Sequence, residues 1–335
     1  MIYDKTIFII GGSGSLGNAL IKRYLGKNTI YVYSRDECKH WKMSLLYKSD
    51  KLKFVIGCIR DYNRLENTIL SAKPNIIIIA AALKHIDRCE YAVNECYLTN
   101  FAGANNVFNC IEKNQILIKP SLESVVFVST DKACNAVNTY GICKALSEKS
   151  CIEKSISCPG IKFVSVRYGN VLNSRGSIIP ILHEKGKNPE YKEFGLTHKN
   201  MTRFVMTLDQ SVDLIETSIL TAESGDIVVS PLISMKLIDL FEIFSKKYNK
   251  PVVITGLRSG EKMLETLINT TQSSSMIIKN GYYYLKPFYK NLYTPQVANE
   301  YNSDINTVDK QQLIEFLDIN GLLWFLEFIN PLGGL

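Results

Sequence analysis

No two cysteines stand at the C-x-x-C spacing, although the chain has nine of them, at positions 38, 58, 89, 96, 110, 134, 143, 151 and 158. An odd set without metal-ligand spacing builds neither a zinc site nor a disulfide framework, so the thiols read as reduced, the compartment as cytoplasmic, and no metal site is expected. A basic block is missing too: 39 Lys and Arg against 32 Asp and Glu leave a dispersed net charge of +7. Such a mild excess suits a small anionic substrate better than nucleic acid, which calls for a denser patch. The start, MIYDKTIFIIGG, lacks the basic flank and cleavage site of a signal peptide. The apolar run LLWFLEFI at 322 to 329 is too short to span a bilayer, so a soluble protein without a membrane partner is expected. Internal repeats and low-complexity tracts are also lacking.

What is present alternates. Apolar runs at 6 to 10 (TIFII), 29 to 33 (TIYVY), 76 to 80 (IIIIA), 125 to 129 (VVFVS) and 163 to 167 (FVSVR) are separated by segments with helical spacing at 15 to 26, 62 to 72 and 94 to 113. Strands that are apolar nearly throughout are buried on both faces, which predicts a Rossmann-like, doubly wound parallel α/β sheet. With 46% hydrophobic residues in 335, the chain can bury a large core and a smaller one. The reading divides it into 1–169 as a dinucleotide-binding domain, to which about 205–230 returns, 170–275 as a smaller mixed α/β lobe, and 276–335 as a hairpin and helix without assigned role. MIIKNGYYYL at 276 to 285 carries the Asn-Gly of a tight hairpin.

The first chemistry lies in IIGGSGSLGNAL, 9 to 20. Gly11, Gly14 and Gly17 follow a strand and open a helix. This arrangement turns the chain tightly and sets a pyrophosphate on backbone N–H groups at a helix N-terminus. The second strand ends in YSRDE. A basic residue there accepts the 2′-phosphate of NADP and an acid holds the 2′-hydroxyl of NAD. Arg35 tilts the reading to NADP, with Asp36 keeping NAD as the alternative.

The stretch VSTDKACNAVNTYGICKALSEK, 128 to 149, holds the reaction chemistry. Tyr140 and Lys144, four residues apart, share one face of a helix, and a lysine cation beside a phenol lowers its pKa so that it can act as acid or base. Ser129 and Thr130 end the strand just upstream, and Thr130 leads a Thr-Asp-Lys run that adds an acid, Asp131, and a base, Lys132.

With GGSGSLG, YSRDE, AAALKHID (80 to 87), STDKACNAVNTYGICK, RYGNVLNSRGSIIP (167 to 180), MTRFVMT (201 to 207) and LRSGEKMLETL (257 to 267) on the page, the chain resembles the UDP-N-acetylglucosamine 4,6-dehydratases. These are of the extended short-chain dehydrogenase/reductase class, in the C5-inverting type, and the likeness runs from about residue 5 to 270. The resemblance implies Thr130, Asp131, Lys132, Tyr140 and Lys144 as catalytic residues. It implies a cofactor set of Gly11, Ser13, Gly14, Ser15, Leu16, Gly17, Ser34, Arg35, Asp61, Ala80, Ala81, Lys84 and Asn100 with Tyr140 and Lys144. UDP-N-acetylglucosamine, the expected partner, falls to Lys84, His85, Asn170, Arg203, Arg258 and Glu261. A homo-oligomer, dimer or hexamer, is implied as well. In this family Tyr140 takes the 4-hydroxyl proton as hydride leaves C4, Lys132 takes the C5 proton, Asp131 protonates the departing 6-hydroxyl, and the hydride returns to C6. Glucose-nucleotide dehydratases have Thr-Asp-Glu where this chain has Thr130-Asp131-Lys132.

Two positions depart from the family pattern. Its Gly-Asp-Val-Arg-Asp run is Gly57-Cys58-Ile59-Arg60-Asp61 here, which moves adenine recognition to Asp61 or loosens it; and Ser259 stands where a proline is expected. The competing readings are a C5-retaining dehydratase, a UDP-sugar 4-epimerase of the same fold, which has no use for the Asp131–Lys132 pair, and a non-catalytic NADP sensor.

Overall fold

The structure is a computed structural model that describes residues 1–290 and 299–323. Its strands are β1 (Thr6–Ile10), β2 (Thr29–Ser34), β3 (Leu52–Ile56), β4 (Ile76–Ile79), β5 (Ser124–Val128), β6 (Lys162–Arg167), β7 (Asn170–Val171), β8 (Phe194–Leu196), β9 (Thr202–Met206) and β10 (Ile227–Val229). The later ones are β11 (Ile233–Lys236), β12 (Val252–Ile254), β13 (Thr266–Ile268), β14 (Met276–Lys279), β15 (Tyr282–Leu285) and β16 (Tyr301–Asn302).

The main sheet runs in the order β14-β15-β10-β6-β5-β4-β1-β2-β3. From β3 to β10 every pairing is parallel. This is the doubly wound order the sequence predicts, with its reversal between β1 and β4, and ligands bind beyond the strand ends at such a reversal. Alternate residues serve two cores, one on each face. Ile7, Ile9, Ile76, Ile78 and Val126 join one cluster, and Phe8, Ile10, Ile77, Ile79, Val125 and Phe127 the other. That division is why these strands read as unbroken apolar runs.

Three features were not foreseen. The edge strand β3, LKFVI, is only partly buried, and Lys53 breaks its apolar run near the start. The helix Glu37–Tyr47 buries only His40 and Met43 and leaves little periodic signal. The stretch expected as helix over 94 to 113 is helical throughout, but its middle, Tyr97–Ala102, is π-helical between the α-helical Val93–Cys96 and Gly103–Lys113.

The helix Leu208–Thr221 packs Val212, Leu214 and Ile215 into the core that holds β1, and β10 extends the main sheet. The Asn280-Gly281 turn, with φ of 51° and 78°, joins β14 to β15 as a hairpin antiparallel to β10. A third core gathers Leu172, Phe194, Leu240, Phe244, Leu313 and Leu317, bringing the helix Lys310–Ile319 under the smaller lobe built on β7–β9 and β11. Residues 291–298 and 324–335, which include most of the run LLWFLEFI, lie outside the described residues. Among those described, no helix is long and apolar enough to cross a membrane.

Candidate active site

A cleft of about 1160 Å³ opens at the carboxyl ends of β1, β2, β4 and β5. Its floor begins with the glycine turn. Gly11 has φ of +86°, and a Cβ there would stand 2.6 Å from the Ala81 nitrogen, so only glycine lets β1 pass the loop after β4 so closely. At Gly17 a Cβ would fall 2.0 Å from the Gly12 carbonyl oxygen, so its absence lets the helix Ser15–Tyr24 start hard against the turn. That helix has Gly14 at its N-cap and no side chain capping it. Ser13, Gly14, Ser15 and Leu16 line the cleft at this N-terminus, whose backbone donors fit a pyrophosphate.

Beside the turn, β2 delivers Ser34, Arg35, Asp36 and Lys39 to the cleft wall. Asp36 is committed elsewhere. It caps the helix Glu37–Tyr47 by accepting from the Lys39 backbone N–H at 3.0 Å, and it pairs with the Lys39 ammonium. The Lys39 hydrogen bond, with its charge, holds the Asp36 carboxyl below its ordinary range. The Ser34 hydroxyl meets His40 Nε2 at 2.6 Å. Arg35 thus presents a cation to the cleft beside an acid, Asp36, that is occupied by its own helix and by Lys39.

Across the sheet, β5 ends in the Thr-Asp-Lys run, folded into a short 3₁₀ turn, Asp131–Ala133. The helix Thr139–Ser157 follows; Asn138 caps it by accepting from the Gly141 N–H at 2.8 Å, and donates to the Gly260 carbonyl at 2.9 Å. Tyr140 and Lys144 lie one turn apart on its cleft face, with Thr130, Lys132 and Asn170 opposite. Lys144 Nζ donates to the Val128 carbonyl at 2.8 Å and stands 4.5 Å from the centre of the Phe127 ring. Burial lowers its pKa to about 8. Burial pushes Tyr140 up to about 12, against a downward pull from Lys132 and from the Thr130 hydroxyl.

Asp131 is fully buried beneath these groups. Its Oδ1 accepts from Thr130 Oγ1 and from Lys132 Nζ, both at 2.9 Å, while Oδ2 has no partner. Lys132 Nζ also lies 3.4 Å from Asn170 Oδ1 and 3.4 Å from Glu265 Oε1. Burial alone would lower the Lys132 pKa, but the Asp131 and Glu265 carboxylates outweigh it and the pKa is raised.

Of the residues named from the sequence, Gly11, Ser13, Gly14, Ser15, Leu16, Ser34, Arg35, Ala80, Ala81, Lys84, His85, Thr130, Lys132, Tyr140, Lys144 and Asn170 share this one cleft. Others do not line it. Gly17 lies behind the turn. Asn100 is buried in the π-helix, bonding both the N–H and the carbonyl of Leu83 at 2.8 Å, so it braces the loop that carries Lys84 and His85. Asp61 is an exposed cap accepting from the Arg64 N–H at 3.0 Å, whereas Cys58, at the family's Asp position, does line the cleft. Arg203 spends its guanidinium on the carbonyls of Thr202, Lys262 and Met263, with its Nε 3.7 Å from Glu265. Arg258 is exposed, and its N–H donates to Glu261 Oε2 at 3.1 Å, so both sit on a loop outside the cleft wall. Lys39 and Arg175 were missed. Arg175 lies inside RYGNVLNSRGSIIP, and its N–H donates to Ser15 Oγ at 3.0 Å, folding that loop over the glycine turn, while its carbonyl takes the Lys84 ammonium. Among the described residues no cluster of His, Cys, Asp or Glu could hold a metal ion.

Known proteins carry the same frame. The family described as polysaccharide biosynthesis protein matches residues 7–287. A Rickettsia prowazekii protein named UDP-glucose 4-epimerase is 37% identical over 295 residues, covering 84% of this chain and 83% of its own. A Campylobacter jejuni protein named UDP-N-acetylglucosamine 4,6-dehydratase (inverting) is 34% identical over 296 residues, covering 87% and 85%. Among solved structures, Pen from Bacillus thuringiensis superposes with a TM-score of 0.87 at 28% identity, over 96% of this chain and 98% of that one. The dTDP-glucose 4,6-dehydratase DesIV from Streptomyces venezuelae, solved with NAD and TYD bound, shares the fold at a TM-score of 0.67 and 17% identity, over 77% and 86%. The resemblance drawn from the motifs stands: by its matched length and its relatives, this chain belongs to the polysaccharide biosynthesis protein family.

Proposed function

We propose that the protein is a UDP-N-acetylglucosamine 4,6-dehydratase that inverts C5, a hydro-lyase using NADP, and that it yields a 4-keto-6-deoxy sugar nucleotide for surface-glycan synthesis. The observation that carries this reading is the Asp131–Lys132 pair, bonded at 2.9 Å, with Lys132 on the wall of the cleft that also holds Tyr140. Oxidation at C4 needs only Tyr140 and Lys144; removing a C5 proton and a 6-hydroxyl needs a further base and acid.

A nicotinamide dinucleotide, which the glycine turn and the uncapped helix N-terminus fit, supplies the hydride acceptor at C4 and the donor at C6. Tyr140, with Lys144 one helical turn away on the cleft face, takes the 4-hydroxyl proton. The 4-ketone acidifies C5, and Lys132 takes that proton. Asp131 is walled off from the cleft, so its proton reaches the departing 6-hydroxyl through the Thr130 hydroxyl, which is bonded to Asp131 and lines the cleft. Arg35 supports NADP, since Asp36 beside it is committed to a helix cap and to Lys39. Lys84, His85 and Asn170 are positioned for the sugar nucleotide. Inversion at C5 is supported by the name of the Campylobacter relative.

A second reading, UDP-sugar 4-epimerase, is favoured by the name of the Rickettsia relative. Incubation with UDP-N-acetylglucosamine separates the two. Mass spectrometry is expected to show a product lighter by one water; a product of unchanged mass with the 4-hydroxyl inverted would establish the epimerase instead.

A further inference from the structure

Glu265 is a buried carboxylate for which neither the motifs nor the reaction just described has a use. It precedes β13 and is 2% exposed. Its backbone is pinned on both sides by Ser303: its N–H donates to Ser303 Oγ at 2.9 Å and its carbonyl accepts the Ser303 N–H at 2.8 Å. The side chain points Oε1 at Lys132 Nζ, 3.4 Å away, and at Arg203 Nε, 3.7 Å away; Oε2 is buried without a partner. An unsatisfied, desolvated carboxylate is costly, and a site that keeps one has reason to.

The charged groups around Lys132 come from every element packed on it: Asp131 on its own turn, Tyr140 from the helix Thr139–Ser157, Arg203 from β9, and Glu265 beside β13, with Lys262 acting on Glu265 from the preceding loop. Two anions therefore face the one lysine, and Asn170 supplies a third acceptor.

We propose that Glu265 is a positioning residue for the elimination, clamping Lys132 against Asp131 and strengthening Lys132 as the acceptor of the C5 proton. This rests on the dehydratase reading. Before elimination Lys132 is neutral and Asp131 carries the proton. The C5–H bond breaks, its proton goes to Lys132 Nζ, and its electron pair becomes the C5–C6 double bond. The C6–O bond breaks, and the oxygen leaves as water with the proton supplied from Asp131. What remains is an ammonium–carboxylate pair across the 2.9 Å Nζ–Oδ1 contact, which resets when the proton crosses from Nζ to Oδ1; as hydride adds at C6, C5 takes up the proton that Tyr140 removed from the 4-hydroxyl, so that every group regains its starting state. A carboxylate fixed on the far side of Nζ makes the proton's arrival there more favourable, and it is kept from drifting toward solvent by the Ser303 bonds. Burial pushes the Glu265 carboxyl up, against the downward pull of Lys132, Arg203 and Lys262.

The test compares the wild type with Glu265→Gln, which keeps the shape and removes the charge. The ionisation of Lys132 is followed by the carbon-13 shift of Cε in lysine-labelled protein, identified by its loss in Lys132→Arg. In Glu265→Gln, Lys132 is expected to lose its proton at a pH lower by about one unit or more, the shift an opposite charge at this distance produces. The pH profile of dehydration moves down with it, and turnover falls by up to about tenfold per unit of basicity lost. Should Gln not fold, Glu265→Asp carries the test, with a smaller downward shift because the charge is drawn back by one carbon. Identical Lys132 titrations in wild type and variant overturn the clamp while leaving the dehydratase reading intact. A wild type that shows the coupling but removes no water from UDP-N-acetylglucosamine overturns the assignment of Glu265 to elimination, and the dehydratase reading with it.

Discussion

Single residues divide the reaction into separable steps. Lys132→Ala is expected to bind UDP-N-acetylglucosamine and show bound reduced cofactor by its absorbance, because Tyr140 and Lys144 remain, while product formation falls by about 10² to 10⁴, the usual contribution of a general acid or base. Near wild-type dehydration by this variant would remove Lys132 from the role of base. The residues that set up this split were legible because they sit together in one short stretch: Thr130, Asp131 and Lys132 follow directly on a strand, and Tyr140 and Lys144 fall on one helical face. Glu265 and Arg203 were not legible in the same way. Both were within recognised motifs, but only the fold turns Arg203 onto backbone carbonyls and sets Glu265 behind Lys132. Spacing along a chain cannot report which side of a buried lysine a distant carboxylate will occupy.

Among the elements, the turn from β2 into the helix Glu37–Tyr47 is the one that bears on the choice of cofactor. Asp36 could have held a ribose hydroxyl, yet capping that helix satisfies its oxygens from the Lys39 backbone and side chain. Arg35→Ala is expected to weaken NADP binding by about one to two powers of ten, the equivalent of a charge-assisted hydrogen bond, and to leave NAD little changed. Titration of both cofactors by fluorescence checks this, and equal losses for the two would place the 2′-phosphate elsewhere. The strand before this turn was readable from its apolar run. The helix after it was not, since a helix that buries only His40 and Met43 has a weak periodic signal. The π-helix Tyr97–Ala102 was hidden for a different reason: its residues keep a helical composition, so no local pattern separates a π turn from an α turn, nor shows that Asn100 within it bonds both backbone groups of Leu83.

The whole molecule is tied together at Arg167, the last residue of β6. Fully buried, it makes a bidentate pair with Glu148 of the helix Thr139–Ser157, at 2.9 and 2.7 Å, and donates to the Leu267 carbonyl of β13 at 2.7 Å. One guanidinium thus joins the main sheet, the helix that carries Tyr140, and the strand beside Glu265. Arg167→Met is expected to destabilise the fold by about 3–5 kcal/mol, because Glu148 is left as an uncompensated buried charge; denaturant unfolding measures it, and a loss under about 1 kcal/mol would show the pair to be dispensable. The doubly wound sheet was legible from its alternating apolar runs, and the hairpin from Asn280-Gly281. The docking of that hairpin on β10, and the third core under the smaller lobe, depend on pairings between distant segments that no local pattern encodes. Whether the protein eliminates water or epimerises C4 is read out by proton NMR of its reaction with UDP-N-acetylglucosamine in deuterated water. Elimination gives a 6-deoxy 4-keto sugar carrying solvent deuterium at C5, with ring couplings of the L-arabino configuration; a 4-epimer that keeps its 6-hydroxyl and its C5 proton would rule elimination out.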